Sequence, residues 1–179
     1  MFKKILLTAL VFCVAGYFAG KCFAEGEFSL ELAKQKVEAA AKLVESEGEA
    51  SFAKFRDPNG EFRFANGKGY IWIHSMTGPM LMHPVQPQLE GTNSLELKDS
   101  TGFYFIVSMN DLVKKHGSGW VVYLWPIPGK KAEDYKGSYV KLAKFGGKEY
   151  VVGCGMYFVN KDYIKSLFPN DVVYDSGNK

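Results

Sequence analysis

"GSGWVVYLWPIPG", residues 117–129, places Trp120, Tyr123 and Trp125 within six positions and ends them against Pro126. Two more runs follow it, "SYVKLAKF" (138–145) and "EYVVGCGMYF" (149–158), both rich in β-branched and aromatic residues. In succession they predict three consecutive antiparallel strands. Along the first strand the two-residue period puts Val121, Tyr123 and Trp125 on one face and Trp120, Val122 and Leu124 on the other. Both faces are bulky. A strand that needed only burial could use valine and leucine throughout, so one face is expected to pack on a helix and the other to wall a pocket.

Upstream of these strands, "FSLELAKQKVEAAAKLVESEG" (28–48) predicts one long helix. Phe28, Leu32, Val37, Ala40, Ala41 and Val44 fall near helical spacing, with charged residues opposite. Ser29 is placed to cap its start and Gly48 to end it. "RDPNGEF" then marks a turn. "GYIWIHSM" (69–76), the tight turn "TGP" and "MLMHP" (80–84) predict a hairpin. Residues 85–102 have loop composition, and most of 103–117 reads as a second helix closed by Gly117. A short helix or turn is expected at 160–168. The sum is an α+β layout: a five-stranded sheet, the long helix on one face, and the 85–117 crossing on the other. Space between sheet and crossing is the natural place for a ligand.

The first residues stand apart from this domain. Lys3 and Lys4 precede an apolar run from Ile5 to Ala19, and Cys22-Phe23-Ala24 follows with small residues at cleavage-site positions. Residues 1–24 therefore read as a secretory signal peptide, with a retained N-terminal anchor as the alternative. With that segment go Lys3, Lys4 and Lys21, so the 22 basic residues fall to 19, level with the 19 acidic ones. A nucleic-acid partner loses its electrostatic basis. Cys13 and Cys22 leave as well, and Cys154 alone cannot form an internal disulfide. The domain, 25–179, has to be held by its core, and a periplasmic or secreted protein is expected.

"GYIWIHSMTGPMLMHPVQPQLEGTN", "GWVVYLWPIPG" and "KGSYVKLAKFGGKEYVVGCGMYF" together resemble the single Cache domain, a PAS-like extracellular sensor module. The ordered elements are an aromatic strand, a glycine turn, His-Pro with Pro-x-Leu-x-Gly, Trp-x-x-Tyr-x-Trp-Pro, Lys-x-Ser-Tyr-Val-Lys and Val-x-Gly-x-Gly-x-Tyr, spread over residues 28–165. The resemblance implies a PAS-like sheet and binding of a small organic molecule, often acetate, propionate, pyruvate or lactate. Two departures stand out. The turn His74-Ser75-Met76-Thr77-Gly78 lacks the acidic residue common before the hairpin glycine. Such domains also usually sit between two membrane spans, whereas no second apolar span follows here. The implied role is a sensor that presents its ligand to a separate membrane receptor or transporter.

An acid bound away from water needs matched donors, because desolvating an unpaired ion is costly. His74, His83, Tyr123, Lys136 and Tyr139 are the candidates, with Trp125 beside Tyr123 on the same strand face. Tyr139 and Lys141 share one face and Lys136 and Ser138 the other, so all four cannot enter one pocket unless the strand begins after Lys136. Each has an ordinary alternative: core packing for the aromatics, a surface position for Lys136, a turn carbonyl for His83. His74 and His83 alone make a poor metal site, and no metal or cofactor is expected. "GKGYI" (67–71) lacks phosphate-loop spacing. An enzyme using Cys154 or a histidine is the rival class, although no activating base is placed by the sequence. A scaffold with a collapsed pocket is the third.

Overall fold

The structure, a computed structural model, describes residues 27–177. Residues 1–24, read above as a secretory signal peptide, lie outside the described residues. Helix α1 spans Leu30–Glu47 and is capped by Ser29, whose hydroxyl accepts from the Leu32 N–H at 3.1 Å. Its buried line is Leu30, Ala33, Val37, Ala40, Ala41 and Val44. Val37, Ala40, Ala41 and Val44 lie on the expected face, while at its start Leu30 and Ala33 are buried and Phe28 and Leu32 only partly covered. Three alanines on that line let the helix lie close to the main sheet. A short helix α2, Phe52–Arg56, follows.

The 69–76 run is two strands, not one. Strand β1 (Arg63–Phe64) pairs antiparallel with β2 (Gly69–Tyr70) in a small separate sheet. The chain then breaks at Ile71, and β3 (Trp72–Ser75) enters the main sheet beside β4 (Met80–Met82). Helix α3 (Phe105–His116) precedes the long strands β5 (Ser118–Pro126), β6 (Glu133–Phe145) and β7 (Lys148–Tyr157). Helix α4 (Lys161–Leu167) and β8 (Val173–Tyr174) close the chain.

The main sheet has six strands in the order β4-β3-β7-β6-β5-β8, which corrects the expected five. The sixth, β8, lies parallel to β5, with Trp120 opposite Val173 and Val121 opposite Tyr174. Two paired residues are too few to show a period in the sequence. The α+β, PAS-like arrangement otherwise stands, with the other strand pairs of the main sheet antiparallel.

Each face of the sheet closes its own core. On the α1 side lie Trp120 and Val122 of β5, Tyr139 and Ala143 of β6, and Tyr150, Val152 and Cys154 of β7. On the α3 side lie Trp72, Val121, Tyr123, Val140 and Val151, packed on Phe105, Ile106, Met109, Leu112 and Val113. One carboxylate fastens the α1 side. Asp171 receives the Lys34 ammonium at 2.6 Å and the Trp120 indole N–H at 3.0 Å. Asp99 fastens the other. It accepts from the Thr101, Phe103 and Leu124 N–H groups, which holds the loop before α3 against β5.

Candidate functional site

Strand β6 begins at Glu133, five positions earlier than expected, and this settles which way Lys136 points. Lys136 stands opposite Tyr123 on β5 and Tyr157 on β7. Directly opposed residues share a face, so all three belong to the α3 side with Ser138. Tyr139 lies on the opposite face. It points to the α1 side, where its hydroxyl donates to Glu38 at 2.8 Å and its ring packs on Trp120. Burial raises its pKa, and the neighbouring Glu38 adds to that. Tyr139 therefore does not join the others.

The Lys136 side chain runs sideways across β7 over Gly155. A Cβ at position 155 would stand 2.3 Å from Lys136 Cε and 2.5 Å from Ser138 Oγ, so glycine is what leaves room for it. The ammonium ends 5.0 Å from the centre of the Tyr157 ring. Lys136 is 5% exposed. No acidic side chain pairs with it among the described residues. Burial lowers its pKa from 10.5 to about 8. A desolvated cation without a counter-ion costs several kcal/mol (~3, from the span between those pKa values). The fold keeps one here.

The walls around it are aromatic. The Tyr123 hydroxyl is within 3.0 Å of Ser138 Oγ. Its ring stacks on Phe105, centres 4.2 Å apart, and Trp125 meets Phe105 edge-on at 5.0 Å. His83 and Tyr70 close another side, ring centres 5.3 Å apart. His83 Nδ1 accepts the Gln86 N–H at 2.9 Å, which leaves its Nε2 as the protonated, donating nitrogen of the neutral ring. Burial first, then the charge of Lys136, lowers the His83 pKa to about 4. Glu90 pins the loop that carries it, accepting the His83 N–H with one oxygen and Arg56 with the other. Burial also raises Tyr123 and Tyr70, so both hydroxyls stay neutral donors. The result is one ammonium with several neutral N–H and O–H donors inside an apolar wall. That set suits a small anion.

His74 shares the sheet face but not the cluster. It lies opposite Val151, six residues along β7 from Tyr157, or roughly 20 Å of strand. Asn110 donates its amide to the Met76 carbonyl at 3.1 Å, so its oxygen accepts from His74 Nε2 at 2.8 Å. The ring stacks on Trp72 and is wholly buried. Its task is to tie α3 to the hairpin. Burial lowers its pKa from 6.5 to about 4. The unfolded chain therefore takes up a proton that the folded one refuses as pH falls from 6.5 towards 4, and stability drops across that window by up to ~3 kcal/mol from this residue. His83 contributes in the same direction. Urea unfolding of His74→Gln is expected to show about half the wild-type slope between these pH values. An unchanged slope would remove His74 from this role.

Cys154 lies on the α1 side, 1% exposed, with its thiol pushed up to about 12 by burial. A thiol held neutral there is not an activated nucleophile. No group of three metal-ligating side chains occurs among the described residues. Two open grooves lie at the surface, and the second of them reaches Tyr123 of the Lys136 cluster. One, of about 720 Å³, runs between the β3–β4 hairpin and the β6–β7 turn, and its charges are matched internally as Lys144–Glu149 and Lys148–Glu49. The other, of about 330 Å³, opens between β5 and the start of α4, where Lys161 pairs with Asp175. Lys136 is a buried charge with no acidic partner among the described residues.

Tyr70 and Tyr157 are cluster members that sequence reasoning missed. A signal for Tyr157 was present. The Gly146-Gly147 turn pairs Phe145 with Lys148, and counting outward from that pair sets 136 opposite 157. Tyr70 was obscured because 69–76 looked like one strand.

A sheet of this order, helix-covered on both faces, is an α+β arrangement of the PAS-like kind. The chain belongs to the Cache domain family, which matches residues 33–166. Over 88 residues, 49% of this chain, it is 34% identical to the methyl-accepting chemotaxis protein McpP of Pseudomonas putida. That stretch spans 16% of that protein's length. Among solved structures, a Cache chemosensory domain studied for carboxylic acid recognition is 30% identical, with a TM-score of 0.59 over 72% of this chain and 92% of that one. The periplasmic sensor domain of a chemotaxis protein is 28% identical, with a TM-score of 0.53 over 72% and 90% of the two chains. No helix among the described residues is long and apolar enough to cross a membrane.

Proposed function

We propose that this protein is a periplasmic sensor domain for a short monocarboxylate, with residues 1–24 as its export signal and residues 25–179 as one ligand-binding unit. The observation that carries this reading is Lys136: an ammonium buried without a counter-ion, surrounded by neutral donors. A bound carboxylate supplies the missing charge. Tyr123, His83 Nε2 and Tyr70 stand round it as hydrogen-bond donors, and Phe105 and Trp125 enclose the alkyl end. The likeness to a domain that recognises carboxylic acids supports the same ligand class. The relatives' place in chemotaxis receptors supports a membrane receptor or transporter as the recipient of the signal. Chemistry on the ligand is not part of this role.

Thermal unfolding in the presence of acetate, propionate, lactate, pyruvate and neutral amides of the same size tests it. Acids are expected to stabilise the fold by ~2.7 kcal/mol at a hundredfold excess over Kd, and the amides not. Equal response to acids and amides, or to none of them, would remove the carboxylate reading.

A further inference from the structure

A second cation borders the Tyr70 and His83 rings. Arg63 on β1 stands directly opposite Tyr70 on β2, so the two side chains leave the small sheet on one face, roughly 5 Å apart at their bases. The guanidinium tip lies at the turn beyond β1, with one terminal nitrogen 3.7 Å from where a Cβ on Gly67 would stand. The residue is half-buried. Behind the tip, Nε is buried and has no hydrogen-bond partner. No acidic side chain pairs with Arg63 among the described residues. Buried N–H groups nearly always have an acceptor, so an orphan beside a ligand cluster calls for an explanation. His83 links the two cations: burial is the main cause of its lowered pKa, and Lys136 and Arg63 both add to it.

We propose, resting on the acid-binding reading above, that Arg63 contacts the ligand and reads its second carbon, its Nε–H donating to a hydroxyl or keto oxygen there while Lys136 holds the carboxylate. The residue is only partly buried, which leaves part of the guanidinium charge to water, so no second carboxylate is required. What lacks a partner is one buried N–H, and one neutral oxygen satisfies it. Lactate and pyruvate carry that oxygen. Propionate has the same three carbons and lacks it. A site built to hydrogen-bond a ligand oxygen discriminates against the analogue that leaves the donor stranded.

Calorimetric titration of the three acids into wild type, Arg63→Met and Arg63→Lys tests this. Arg63→Lys keeps the charge but loses the fixed Nε–H, and it carries the test if the methionine variant fails to fold. Wild type is expected to bind lactate or pyruvate about tenfold or more tightly than propionate. In the variants propionate affinity is expected to stay within about twofold of wild type while that preference disappears. A preference that survives in Arg63→Lys, or propionate binding as tight as lactate and pyruvate in wild type, overturns the role of Arg63 alone. Failure of wild type to bind any of the three overturns the acid-binding reading and this inference with it.

Discussion

Lys136→Met is expected to abolish acid binding while leaving the unliganded domain as stable as wild type or more so. The two halves of that result have one cause. In the free protein the ammonium has lost most of its water and gained the face of Tyr157, with no acidic partner among the described residues. Methionine keeps most of the stem across Gly155 and removes the charge, relieving a cost of about 3 kcal/mol. In the complex the same charge is the anion's counter-ion, and removing one partner of a buried pair strands the other, typically at 3–5 kcal/mol, or about a hundredfold or more in Kd. The wild-type pH profile carries the same signature. With a folded pKa of about 8 against 10.5 unfolded, the unfolded chain holds the extra proton between these values. Unliganded stability therefore rises as pH climbs through that window, with the penalty fully present below it. A carboxylate needs the protonated amine, so affinity is expected to fall as pH rises above 8, by about tenfold per unit at most. Calorimetry between pH 7 and 10 measures this. Flat affinity across that range would show that Lys136 is not the counter-ion.

Trp120→Ala is expected to cost about 3–5 kcal/mol of folding stability. Its side chain is wholly buried on the α1 face, packed against Tyr139 and Phe168, with its N–H on Asp171. Truncation leaves a cavity and deprives Asp171 of a donor. Trp125→Ala, further along the same strand on the α3 face and half-exposed, is expected to cost little stability and to weaken binding of the alkyl end instead. Chemical denaturation of both variants separates them. Similar losses would mean that the tryptophans share one role.

Much of this was legible in the chain. The long helix, the hairpin and the three long strands announce themselves because each repeats its period several times. The alternation Trp120, Tyr123, Trp125 already divides the α1 face from the α3 face. Three things were not legible. Strand β8 is two residues long, and its pairing with β5 is held from outside by Val172 and Asp171 rather than by its own pattern. The start of β6 lies in "EDYKGS", whose polar residues and glycine look like loop, yet β5 supplies a partner for every residue back to Glu133. That hidden extension decided between Lys136 and Tyr139. The orphaned Arg63 Nε depends on a small sheet formed across a turn, which no periodicity reports.

The alternation of β5 and β6 has a consequence for how such a sensor can change. Neighbouring positions answer to different demands, since one set packs on α1 while the other packs on α3 and carries the proposed ligand contacts. Substitutions on opposite sides of the sheet with no shared partners are nearly additive in energy. A lineage can thus retune what it detects one residue at a time, leaving alternate residues of the same strand untouched and the molecule no less durable.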